Sequence, residues 1–311
     1  MATQPVPSLR SSFATGRWMV LGAAVLWGTS ATLARFMFRD HKIPALTVVE
    51  LRLVIACSLL LPWMLWRNRA ALRVERSELG YLLILGIFGV AAVQGTYYYS
   101  ISRLGVGVSI LLQYLAPALI VVYEMLRGRR PSPRTLAAVA AAFAGTALLV
   151  GGVDPSALGA SVFDWAIGFA SAFAFTFYIL FSKRGLARHD PSAVLLYTFA
   201  IAGVLWAFVT PPWKIAAAGY GTSVWLMFLA IGVGSTLLPF ALFYGGLRRL
   251  RAEEAGVIAT IEPVVAVLTA AIFLGEILRP MQLAGAALVL IATLLSTIRA
   301  PEPAVLAAER V

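Results

Sequence analysis

Residues 191–211 read PSAVLLYTFAIAGVLWAFVTP, without a single charged side chain. A helix needs about 20 predominantly apolar residues to cross the hydrocarbon core of a bilayer. This stretch therefore reads as a membrane-spanning helix. Working outward, runs of the same kind recur at 18–37, 44–66, 78–101, 105–127, 133–152, 162–183, 222–246, 252–275 and 280–298. The chain is expected to cross ten times, with only short arginine-containing connections near 101–105 and 246–252. The first run lacks a small-x-small cleavage site and is followed by further spans, so it reads as an uncleaved helix and not as a signal peptide.

The whole composition agrees. Of 311 residues, 60% are apolar and 13% charged, and the mean hydropathy is +0.87. A soluble domain carries about twice that share of charge. Collagen-like, disordered and disulfide-stapled classes are excluded by the same numbers, and the lone Cys57 can form neither an intrachain disulfide nor a thiolate metal cluster. The net charge of +11 would suggest nucleic acid in a soluble chain. Here the basic residues sit in short loops, and no basic domain is long enough to form a footprint, so no nucleic-acid partner is expected. Eighteen Lys and Arg fall on the loops that share a side with the N-terminus and six on the opposite loops. By the positive-inside rule both termini, the tails 1–17 and 299–311, are expected in the cytoplasm, with the chain in the inner (plasma) membrane.

The two halves, 18–152 and 162–298, resemble each other. At an offset of 146 residues Gly86 matches Gly232, Tyr98 matches Tyr244, Arg103 matches Arg249 and Pro117 matches Pro263. At 147, Pro44 matches Pro191, Thr29 matches Thr176, Gly128 matches Gly275 and Pro133 matches Pro280. Each half holds an odd number of spans, so the second enters the membrane inverted. Inverted repeats give a transporter two similar end states, with the substrate site near the midplane where the halves meet.

Several segments carry a family resemblance: Trp27-Gly28-Thr29-Ser30, Glu50-Leu51-Arg52-Leu53, Leu115-Ala116-Pro117, Ile261-Glu262-Pro263 and Phe273-Leu274-Gly275-Glu276. Over about residues 18–298 the chain resembles the drug/metabolite transporter superfamily, EamA branch. The resemblance implies an all-α integral membrane fold, ten transmembrane helices as two inverted five-helix repeats around a central cavity, and proton- or gradient-linked export. One departure is that the first half reads Leu126-Arg127-Gly128-Arg129 where the second has Leu274-Gly275-Glu276. The acidic residue occurs once, and Glu276 is expected at the outer interface.

Ionisable groups at membrane depth ask for a reason. Glu262 lies deepest, near the middle of its span. Pro263 removes a backbone donor and frees a carbonyl around position 259, and broken helices are tolerated where they face a cavity. Glu262 is the candidate for carrying a proton or binding a cationic group; the other reading is a protonated structural carboxyl bonded to a neighbouring helix. Glu50 and Arg52 are two apart and do not face each other on a helix, so each needs a partner elsewhere. Arg52 reads as a structural ion pair or a snorkelling side chain, and Glu124 as the intrahelical partner of Arg127. The expected cavity wall comprises Trp27 and Thr29, Gln94 and Tyr98, Gln113, Tyr114 and Pro117, Thr176 and Tyr178, Ser235 and Pro239, and Glu262 and Pro263. Aromatic walls with a few polar contacts suit a small molecule. Gly145 and Gly285 read as helix-packing residues. The fifth and tenth spans, almost without polar groups, are expected at the periphery, against lipid or another copy.

No P-loop, H-E-x-x-H or C-x-x-C occurs, so no cofactor, metal or enzyme activity is expected. The reading is a secondary active transporter, working as a monomer, that exports small organic metabolites such as amino acids by alternating access. Multidrug cation efflux is the alternative within transport, and a non-transporting scaffold or receptor the one outside it.

Overall fold

The computed structural model describes residues 9–39, 41–150, 159–274 and 279–297. Residues 1–8 and 299–311 of the two tails, residues 151 and 152 of the first half, and Gly275, Glu276 and residue 298 of the second half lie outside the described residues. Within them the chain is helical and has no strand. Its long helices are α1 (Leu9–Arg39), α2 (Ala45–Arg67), α3 (Arg76–Ile101), α4 (Gly107–Leu126), α5 (Pro133–Val150), α6 (Val162–Gly185), α7 (Pro191–Val209), α8 (Thr222–Leu247), α9 (Ala252–Phe273) and α10 (Pro280–Thr297). Nine of them, α2 to α10, are long and apolar enough to cross a membrane. The tenth expected span lies inside α1, the least apolar of the long helices, and its Val20, Ala23 and Ala24 are completely buried against the rest of the bundle.

Where the helices begin and end follows from local chemistry. Gly105 adopts φ 80°, a left-handed conformation that glycine reaches without a Cβ clash, and it separates α3 from α4. Ser100 and Ser109 bridge this turn with hydroxyls 2.7 Å apart. Ser161 and Asp164 form a reciprocal capping box at the start of α6. The first tail was expected to run to residue 17, but α1 starts at Leu9. Arg17 lies inside the helix, donates to Glu254 of α9 at 2.8 Å and also reaches the carbonyl of Thr297 in α10.

The two halves interlock by equivalent contacts. Gly86 of α3 lies against Ile201 of α7, and Gly232 of α8 lies against Ile55 of α2. Both glycines sit in a wide, π-helical turn, Leu85–Ala91 in α3 and Gly232–Leu237 in α8. Both Pro117 and Pro263 follow an interruption, at Tyr114–Leu115 in α4 and at Thr260 in α9. α1 packs on α8 and α9, α2 on α7 and α8, and the α3–α4 hairpin on α6.

The two helices expected at the periphery do lie outermost, but each has the other as its neighbour. Gly145 and Gly285 meet back to back, so close that a Cβ on Gly285 would stand 2.6 Å from the Gly145 carbonyl oxygen. Small residues let membrane helices approach this closely when lipid offers no hydrophobic drive for association. The far side of α10 remains exposed at Leu283, Leu290 and Leu294.

Candidate functional site

α1, α2, α3, α4, α6, α8 and α9 surround a central cavity of about 110 Å³. One water molecule needs roughly 10–15 Å³ of such space, so a small solute fits. The wall has two charged groups. Arg52 stands on α2 and Glu262 on α9, and Trp27, Tyr97, Phe175 and Phe240 supply the aromatic surface between.

Arg52 is only 4% exposed, and among the described residues it takes part in no ion pair. Its Nε donates to the Thr236 hydroxyl at 2.7 Å, Nη1 to the Tyr98 hydroxyl at 2.5 Å and Nη2 to the Ser235 carbonyl at 3.0 Å. All three acceptors are neutral, so the positive charge stays uncompensated by them. The Ser235 carbonyl is available because Pro239, four residues on, has no N–H to offer it. The wide turn around it leads the Thr236 hydroxyl to bond the Ile231 carbonyl, five residues back, at 3.3 Å. Pro239→Ala restores the competing donor in α8, and transport is expected to fall about three- to tenfold, the equivalent of one hydrogen bond. A flux measurement unchanged within twofold would contradict this.

Glu262 follows the same logic. Pro263 frees the Ala259 carbonyl, and the Tyr114 hydroxyl of α4 lies 2.9 Å from it. The same hydroxyl is 2.7 Å from Glu262 Oε2. A phenol has one proton. Both contacts are hydrogen bonds when Glu262 is protonated and donates to the phenol oxygen while the phenol donates to Ala259. With Glu262 ionised, the two acceptors compete for one proton. Gly28 of α1 lies directly against the Glu262 backbone and Val265, which sets the depth of the carboxyl.

The cavity runs from Trp27 and Glu262 to Ala34 and Phe38, near the end of α1, and to Ile101, the end of α3. That is the arginine-poor end of the bundle. In the other direction the bundle is packed solid: Tyr178, Phe199, Phe243 and Tyr244 are less than 2% exposed, and Tyr178 stacks on Phe243 and Tyr244. Lys183 of α6 closes this end further by donating to the Leu247 carbonyl at 2.5 Å and to the Leu250 carbonyl. His189 meets Glu78 at 3.1 Å and Asn68 meets Asp190 at 3.2 Å, each joining the first half to the second.

The EamA-like transporter family matches residues 14–151 and again residues 165–298. The chain belongs to that family. It is a multi-pass membrane transporter and not an enzyme. This EamA chain is 27% identical over 265 residues to the uncharacterised inner membrane transporter YicL of Salmonella typhimurium, covering 84% of this chain and 87% of YicL. It is 28% identical over 273 residues to the threonine/homoserine exporter RhtA of Escherichia coli K12, covering 86% of each. A crystal structure that is 21% identical superposes with a TM-score of 0.76, over 91% of this chain and 96% of the other, and shares its fold.

Of the expected wall, Trp27, Gln94, Tyr98, Gln113, Tyr114, Ser235 and Glu262 line the cavity of this EamA protein. Six do not. Thr29 is exposed on the far face of α1, where its hydroxyl donates to the Val25 and Leu26 carbonyls of its own helix. Thr176 is buried and bonds the Ala172 carbonyl in the same manner, as serine and threonine readily do in helices. Tyr178 belongs to the aromatic seal. Pro117, Pro239 and Pro263 are buried in the walls, and Pro239 and Pro263 act through the Ser235 and Ala259 carbonyls they release. Glu124 pairs with Arg129 at 2.8 Å, not with Arg127, because Gly128 at φ 79° turns the chain back on the end of α4. Arg52 is the residue that sequence reasoning assigned elsewhere. Its only signal was a lone cation inside an apolar run, and that signal does not say which helix supplies the partner.

Proposed function

We propose that this transporter exports small zwitterionic amino acids across the inner membrane, with both termini on the cytoplasmic side. The observation that carries this reading is the pairing of poles in one cavity: the Arg52 guanidinium, held only by neutral acceptors, on one wall and the Glu262 carboxyl on another. A guanidinium fork suits a carboxylate, and a carboxyl suits an ammonium. The threonine/homoserine exporter among its relatives supports the same class. A hydrophobic cation could meet Glu262 but would also have to settle beside Arg52 with no carboxylate of its own to place there, which argues against multidrug efflux. Alternating access exposes the cavity to each side in turn, and Glu262 binds and releases a proton between the two states.

The test is flux in proteoliposomes, with and without an imposed pH gradient. Threonine and homoserine are compared with their decarboxylated amines and their methyl esters. Loss of the carboxylate is expected to lower flux at least about tenfold, the equivalent of one charge-assisted hydrogen bond. Glu262→Gln keeps the shape and cannot ionise. It is expected to abolish gradient-driven accumulation and to retain exchange of substrate down its own gradient. Amines carried as fast as the amino acids would overturn the zwitterion reading, and gradient-driven accumulation by Glu262→Gln would remove the proton from that residue.

A further inference from the structure

At the arginine-rich end, away from the central cavity, the ends of α4 and α6 and the start of α9 enclose a pocket of about 580 Å³. Its lining holds the cations Arg127, Arg129, Arg130, Lys183, Arg184 and Arg251 against the carboxylates Glu124 and Glu253. Both carboxylates are already taken, Glu124 by Arg129 at 2.8 Å and Glu253 by Arg251 at 3.1 Å. Lys183 is engaged by carbonyls of the α8–α9 connection.

Three guanidiniums remain. Arg127 Nη1 donates to the Tyr123 hydroxyl at 3.1 Å, and Arg184 Nη2 donates to the same oxygen at 2.8 Å. Arg130 has no hydrogen bond or ion pair among the described residues. Two like charges from different halves of the molecule thus converge on one neutral phenol oxygen. Such an arrangement is repulsive as it stands and becomes favourable when an anion is shared between the forks. Planar forks of this kind match phosphate oxygens.

The pocket is also amphiphilic. Leu180, half-buried, and Val121, 5% exposed, line it, and Met125, one turn beyond Val121 on α4, is 52% exposed. A free phosphate has no use for that wall, whereas an acyl chain does. Basic pockets between the ends of membrane helices take lipid headgroups.

We propose that this pocket binds the phosphodiester headgroup of an anionic phospholipid, shared by Arg127, Arg130 and Arg184, with its chain leaving along Leu180 and the end of α4. Because Arg127 and Arg184 belong to opposite halves, the bound lipid fastens the arginine-rich ends together.

The test uses the purified full chain in detergent with added phosphatidylglycerol, phosphatidylcholine, glycerol 3-phosphate or inorganic phosphate. Thermal unfolding is followed together with native mass spectrometry. Phosphatidylglycerol is expected to raise the midpoint by roughly 5 °C, a shift typical of near-saturating binding, and to remain as one bound copy. Phosphatidylcholine and the two soluble anions are expected to leave the midpoint unchanged. Arg130→Gln, which breaks no contact within the protein, should lose most of the shift, and Arg127→Gln combined with Arg184→Gln all of it. If the double variant does not fold, Arg130→Gln alone decides. An equal shift with phosphatidylcholine or with either soluble anion, or an undiminished shift in Arg130→Gln, would overturn the proposal.

Discussion

Arg52→Gln is expected to lower amino-acid flux at least about 100-fold, while the purified protein still folds. The variant removes the charge that the substrate carboxylate meets, and charge-assisted contacts of this kind contribute about 1.5–3 kcal/mol each, where 1.4 kcal/mol is tenfold in affinity. It also loosens the junction of α2, α3 and α8, because the Thr236 hydroxyl, the Tyr98 hydroxyl and the Ser235 carbonyl share this one side chain. Arg52→Lys separates the two effects. A lysine keeps the charge but cannot reach three acceptors from a planar fork, so it should retain weak substrate binding with slow flux. Flux of Arg52→Gln within threefold of the wild type would show that the residue only braces the helices.

The second large effect is expected at Gly28. A Cβ there would stand 2.6 Å from the Glu262 carbonyl oxygen and 2.7 Å from Val265 Cβ, where ordinary contact begins at 3.4 Å. Backbone cannot swing aside as a side-chain tip can. Gly28→Ala must therefore push α9 away from α1, at a cost of about 1–3 kcal/mol for overpacking. The thermal midpoint is expected to fall by roughly 5 °C. Flux is expected to fall about tenfold or more, because the shift moves Glu262 and the Ala259 carbonyl relative to Tyr114, and displacements of about 1 Å at a site are expensive. Gly80→Ala is the control, since nothing lies within 4 Å of the added methyl, and it should change neither quantity. A Gly28→Ala protein that matches that control would show that α1 and α9 yield freely.

Much of this architecture was legible because lipid imposes a simple rule on sequence. Every backbone group must be bonded internally, so a helix announces itself by length and hydropathy, and 191–211 needed no more than that. The same rule made the prolines readable. A proline at 263 has to release the carbonyl of residue 259, and that carbonyl is where the Tyr114 hydroxyl lies. What the sequence could not supply was rotation. Thr29 and Gln94 are equally polar inside apolar runs, yet a threonine can satisfy its hydroxyl on its own helix and turn to lipid, whereas the larger amide of Gln94 finds its place in the cavity. Arg52 was misassigned for a related reason. A buried cation suggests an anionic partner, and here three neutral oxygens hold it, one of them exposed to bonding only by Pro239. The α5–α10 pairing was half visible, in two glycines that fit close packing but did not name each other.

The wide turns in α3 and α8 bear on how the two halves can move. Each takes up about one residue more per turn than the helix around it. If a wide turn tightened to an ordinary one, everything beyond it would rotate by about 100° and advance by about 1.5 Å. In α3 the part beyond Ala91 carries Gln94, Tyr97 and Tyr98, and in α8 the part beyond Leu237 carries Phe240, Phe243 and Tyr244. One rotation would swing the Tyr98 hydroxyl off Arg52 at the arginine-poor side of the site, and the other would unstack the seal on the opposite side. The cavity thus lies between two turns that hold slack, one in each half of the molecule.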